Sequence, residues 1–183
     1  YRDLQPYDSE KTLQEEWVNA RGAIARFERN SIEIRVIDIQ ETPFADIAIA
    51  AAIIGAIRMM AEERFCSLNE QKAWNTAPLK EIFLRTIKNG ENAIIDDSHF
   101  LSAMGLNRAC SAGQLWGYLV EQLKDYDQQW IRPFLPVLDL ILAEGTLSSR
   151  IVKALGEDPG LEQVKNTYRA IGDSLLTGSI FRS

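Results

Sequence analysis

The stretch Ser-Ile-Glu-Ile-Arg-Val-Ile-Asp-Ile-Gln-Glu, residues 31–41, sets a carboxylate and a guanidinium two positions apart. In a strand, Glu33 and Arg35 share the face opposite Ile32, Ile34 and Val36. At a rise of ~3.3 Å per residue their anchors stand about 6 to 7 Å apart. A carboxylate there can take a hard cation such as Mg²⁺, and a guanidinium one step along can hold a phosphate through parallel N–H groups. A metal-bound phosphate needs both. Arg21, Arg26, Arg29 and Arg35 also crowd into fifteen residues of an otherwise acidic chain, a local positive field suited to a nucleotide or an acyl phosphate. After Val36 the alternation changes phase, which places Asp38 and Gln40 on the face that carried isoleucines. Such a switch predicts a bulge or a strand leaving its sheet, and either re-aims polar side chains. The plainer alternative is a solvated Glu/Arg pair worth about 0.2 to 1 kcal/mol.

The elements that must position these residues follow from patterning. "GAIARF" and "SIEIRVIDI" flank "ERN" and predict a hairpin over about residues 22–39. A two- or four-residue loop there sets Arg26 directly across from Glu33, whereas a three-residue loop does not. An isolated two-stranded hairpin is marginal in water, so the strands are expected to belong to a larger sheet supplied from elsewhere. The run "FADIAIAAAIIGAIRMMA" is apolar nearly all round, with Thr42 to cap it and Pro43 at its first helical position. Asp46 and Arg58 interrupt it, leaving it short of the ~20 apolar residues of a bilayer span, so a helix buried on most sides is expected. Helices are also predicted for "NTAPLKEIFLRTIKNG", "SAGQLWGYLVEQLKDY", a Pro133- and Pro136-delayed segment ending at Gly145, and a final pair split by "GEDPG". The fold class read from this is α+β, predominantly α. An N-terminal segment 1–41 carries the hairpin or sheet edge, and 42–183 form a helical C-terminal region.

Composition narrows the classes. The chain has 183 residues, 46% hydrophobic and 25% charged, enough for one core. A net charge of -6 argues against broad binding to nucleic acid or anionic membrane. Cys66 and Cys110 have no metal-ligand spacing and read as free thiols of a reducing cytoplasm, the expected location. The start "YRDLQPYDSE" has no initiator methionine and no signal-peptide pattern, as a piece of something longer would. The sole histidine, His99, reads as a cap or surface residue, Asp96 and Asp97 as helix-start caps, and Trp74, Trp116 and Trp130 as packing residues. Asp46 reads as a tie between helix and strand.

Residues 21–53, "RGAIARFERNSIEIRVIDIQETPFADIAIAAAI", resemble the strand-to-helix signature of the bacterial glutamate-cysteine ligase family, which includes carboxylate-amine ligases. "GTLSSRIVKALGEDPGLEQVKNTYRAIGDSLLTGSIF" is similar to that family's closing helices, while the middle is alike only loosely. The resemblance implies a glutamine synthetase-like catalytic fold, of which this chain is a C-terminal portion. It implies that ATP, with Mg²⁺, phosphorylates the γ-carboxylate of glutamate and that an amine, usually that of cysteine, attacks the acyl phosphate. Carried over to this sequence, Glu33 faces the metal-nucleotide site and Arg35 the transferred phosphate, where positioned charge does most of the work. Arg26 or Arg29 holds a second phosphate or the substrate carboxylate, and Asp38, Gln40 and Glu41 lie near the substrate. The implied partner is the N-terminal half of the same enzyme, with a homo-oligomer also open. The family's enzymes are much longer, and their earlier acidic strands have no counterpart here, so this chain alone is expected to be silent. Two rivals stay open: ligation of glutamate to another amine, and a non-catalytic helical module whose hairpin docks on a partner sheet by strand addition.

Overall fold

Two four-residue strands, β1 (Ala23–Arg26) and β2 (Ser31–Ile34), pair antiparallel in the computed structural model, which describes residues 5–12 and 22–183. Phe27–Arg29 form a 3-10 turn, and Asn30 closes it in the left-handed region at φ 48°. Asparagine is among the few non-glycine residues that sit there at small cost. The four-residue loop is therefore 27–30. Arg26 faces Ser31 and Glu33 faces Ile24, so this four-residue loop starts one residue earlier than the one that would set Arg26 directly across from Glu33, and the two meet on a diagonal. The physical reason is Phe27: exposed and drawn into the turn, it leaves Ser31 to open the second strand. A further rung joins the Arg35 N–H to the Gly22 carbonyl at 2.9 Å, and the chain bends away at Val36. The alternation change after Val36 thus marks a departing strand, and the strand is shorter than the pattern predicts.

The described chain divides into two units, 1–38 and 39–183. The second is all helix apart from a two-residue pairing of β3 (Ile94–Ile95) with β4 (Cys110–Ser111). Its first helix, α1 (Pro43–Ala61), begins as the sequence requires, with the Thr42 hydroxyl accepting the Ala45 N–H at 3.1 Å and Pro43 in the first turn. Then follow α2 (Leu68–Ala73), α3 (Thr76–Asn89), α4 (Ser98–Ala103), α5 (Ala112–Tyr126), α6 (Gln128–Ile131), α7 (Leu135–Glu144), α8 (Leu147–Leu155) and α9 (Leu161–Thr177). Asn75 caps α3 and Gly90 stops it at φ 55°, a conformation open to glycine without strain. Ser111 and Gln114 form a capping box on α5. Pro133 sits in a 3-10 turn, Arg132–Phe134, that separates α6 from α7, the delay the two prolines impose.

Helix α1 differs from expectation on one side. It buries Ala45, Ala48, Ala51, Ala52, Gly55, Ala56 and Met59, a stripe of mostly small residues, against a core of Val120, Leu123, Ile131, Val137 and Leu138. Phe44, Ile47 and Ile54 point outward, 43%, 54% and 46% exposed. The helix is buried along one face and not on most sides, because close approach to its neighbours favours the alanine face, and of its large side chains only Met59 is buried. By length and composition it would pass for a membrane span, yet it carries Asp46 and Arg58 and is capped and packed within the helical unit. A second core gathers Ile82, Ala93, Ile95, Leu101, Met104, Leu115 and Leu119, with Trp116 reaching both.

Candidate functional site

On the hairpin, the diagonal register brings three charges together. The Arg35 Nε–H donates to Glu33 Oε1 at 2.7 Å, and Arg26 Nε lies 3.6 Å from Glu33 Oε2. Arg26 Nε also meets Glu28 Oε1 at 3.1 Å, and Arg29 Nε stands 3.8 Å from the same oxygen. The side chains of Arg26 and Arg35 are only 12% and 18% exposed, against 37% for Glu33 and 67% for Arg29. So the pair read from the sequence is half-sheltered, and its acid is clasped by two bases. Three arginines against two glutamates leave this hairpin a local cation in a chain of net charge -6. Arg21 lies outside the described residues.

The hydrogen bond from Arg35 holds the Glu33 carboxyl below the usual glutamate range, with the charges of Arg35, Arg26 and Arg29 adding and partial desolvation opposing. Because the folded value is depressed, any stabilisation from the cluster is present above the unfolded value and is lost as pH falls through the folded one. A carboxyl-carbon NMR titration is expected to show Glu33 protonating at lower pH than the exposed glutamates. In Arg35→Ala its midpoint should return towards theirs.

Mg²⁺ at Glu33 does not fit the residues present. Both carboxylate oxygens already face guanidinium groups, so a dication would sit against two positive charges. Among the described residues no three His, Cys, Asp or Glu side chains gather as a metal site. The arrangement suits an anion: two guanidinium groups held on one face of the hairpin, both in contact with a shared carboxylate.

The remaining sequence-selected residues lie along the chain that leaves the hairpin. Asp38 is exposed. The Gln40 N–H donates to Asp46 Oδ1 at 2.9 Å, so Asp46 ties the first turn of α1 to the chain just before it and not to the strand itself. Glu41 turns inward. Its side chain is fully buried and receives Arg150 Nη1 at 2.6 Å. Arg150, on α8, has no signal in the local sequence, since its partner is 109 residues away.

Other candidates resolve into packing. His99 stacks on Trp74 with ring centroids 4.4 Å apart, and Asp97 caps α4 by accepting the Phe100 N–H at 2.8 Å. Asp96 pairs with Arg85 at 2.7 Å, and Trp130 donates its indole N–H to the Ala51 carbonyl at 3.2 Å. Cys66 and Cys110 are unpaired, half-buried thiols, each pushed up by desolvation from the ordinary thiol value.

No family model matches the chain, and no solved structure matches it. It is similar to an uncharacterized protein of Archaeoglobus fulgidus, 47% identical over 51 residues. That stretch covers 28% of this chain and 14% of the relative, so the matched region spans far less than two thirds of the relative's length.

Proposed function

We propose that this chain is the C-terminal portion of an ATP-dependent ligase that joins the γ-carboxylate of glutamate to an amine, that of cysteine first, through an acyl phosphate. The observation that carries the reading is the hairpin cluster, in which Glu33 clasps Arg35 and Arg26 on one half-sheltered face. In that role Arg35 opposes the charge of the transferred phosphoryl group, and Arg26 holds a second phosphate or the substrate carboxylate. Glu33 keeps both guanidinium groups oriented before the anion arrives, so little reorganisation is needed at the reacting centre. Arg29, at the exposed turn, adds long-range attraction, and the resemblance assigns Asp38 and Gln40 to the neighbourhood of the amino-acid substrate. ATP with Mg²⁺ is the cofactor pair this reading entails. The described residues offer arginines for the phosphate and no bed for the ion. The resemblance of residues 21–53 to the glutamate-cysteine ligase signature supports the assignment. So does a hairpin whose two strands pair only with each other among the described residues, as the edge of a sheet completed by an N-terminal half does.

The test compares this polypeptide with the complete gene product, each given ATP, glutamate and cysteine or a panel of other amines. ADP and a γ-glutamyl amide are expected from the complete product alone. Turnover by the short chain at the same rate, or none by either, sinks the proposal. The second reading, a docking module without chemistry, is favoured by Ile32, 55% exposed on the uncharged face of the hairpin. It predicts assembly with a partner and no ADP.

A further inference from the structure

Three successive residues at the start of α1 are each tied to a different group. The residue 40 amide donates to Asp46, the Glu41 side chain meets Arg150, and the Thr42 hydroxyl caps the helix. Arg150 is itself fully buried. Beyond Glu41 it donates from Nε to the Gly145 carbonyl at 3.2 Å and from Nη1 to the Phe181 carbonyl. One guanidinium thus joins the start of α1, the turn between α7 and α8, and the segment after α9, where Phe181 is buried.

Stability alone does not call for such a pair. Taking a carboxylate and a guanidinium out of water costs more than their attraction commonly returns, and apolar residues of similar volume often serve as well or better. Among the described residues the pair is also incompletely satisfied, since Glu41 Oε2 and Arg150 Nη2 are buried there without a partner. What the ions supply and an apolar pair cannot is direction. A planar fork bonded to one carboxylate and two carbonyls fixes residue 41 to within a hydrogen-bond length.

We propose that Arg150 is a positioning residue: acting through Glu41, it holds residues 40–42, and with them Gln40, in place. Its catalytic consequence rests on the ligase reading; the positioning itself does not. Two variants separate the roles, Arg150→Met alone and the double variant Glu41→Leu with Arg150→Met. The single variant strands a buried carboxylate and is expected to melt far below the parent chain. The double variant is expected to melt within a few degrees of the parent while its residue 40 amide exchanges about tenfold faster, the mark of a junction that opens locally. Parent-like protection of that amide in the double variant overturns the proposal. A double variant that melts as low as the single one overturns it as well, because the pair would then serve stability.

In the complete gene product the double variant is expected to lower kcat about tenfold with KM for ATP unchanged, as loss of an interaction made in the transition state does. An unchanged kcat removes the catalytic arm. A complete product with no ligase turnover sinks the function proposed above, and amide exchange then decides the positioning role by itself.

Discussion

Replacing Leu123 with alanine is expected to destabilise the helical unit by about 3 to 5 kcal/mol, the upper part of the range for a buried leucine. Leu123 is wholly buried among α1, α5, α6 and α7, and no smaller side chain stands ready to fill its place. Its partner in the contact is a glycine. A β-carbon built on Gly55 would lie 2.4 Å from Leu123 Cδ2 and 3.1 Å from Cδ1, closer than packed carbons tolerate. Gly55→Ala alone should therefore cost about 1 to 3 kcal/mol by overpacking. The two changes relieve each other, since the alanine methyl enters space that Leu123→Ala vacates. Urea unfolding of the four proteins of this cycle measures the coupling. The double variant is expected to be more stable than the sum of the single losses by about 1 kcal/mol or more. Strict additivity would mean that the helices shift apart to admit the methyl group.

Arg35→Ala in the complete gene product is expected to reduce ligase turnover by about 10² to 10³, the usual cost of removing one preorganised group that stabilises developing charge. Arg35→Lys should recover little of it, because an ammonium group cannot replace a planar fork that donates from Nε to Glu33 and, in the proposed reaction, meets a phosphate as well. Folding should survive both changes. The pair is partly solvated, and such contacts contribute little to stability. Steady-state kinetics beside a thermal melt separates these effects. If turnover holds in Arg35→Ala and association with a partner weakens instead, the hairpin is a docking element and not part of a reaction centre.

Local chemistry was legible in the sequence where it acts locally. Thr42 with Pro43, Asn75 with Gly90, and Ser111 marked helix ends that the structure reproduces, because a cap depends on three or four adjacent residues. The capping box of α2, Ser67 with Glu70, stands in the sequence as an equally local Ser-x-x-Glu pattern. The pairing of Glu33 with Arg35 was legible from spacing alone, but the placement of Arg26 was not. Hairpin register depends on which residue begins the turn, and Phe27 is as compatible with a strand as with the 3-10 turn it enters. The outward face of α1 was hidden for another reason. When every side of a helix is apolar, periodicity cannot say which side is buried, and here side-chain size decided it. The bond between Glu41 and Arg150 joins residues too far apart in sequence for any local pattern to announce. The strands β3 and β4, two residues each, are too short to alternate.

The large side chains on the outer stripe of α1, Phe44, Ile47 and Ile54, bear on how the purified polypeptide behaves in solution. Ammonium sulfate strengthens the tendency of such surface to leave water, so this chain should salt out early and cling to phenyl-substituted resin despite its acidic balance. Serine at Ile47 and Ile54 should move both behaviours towards those of an ordinary acidic protein.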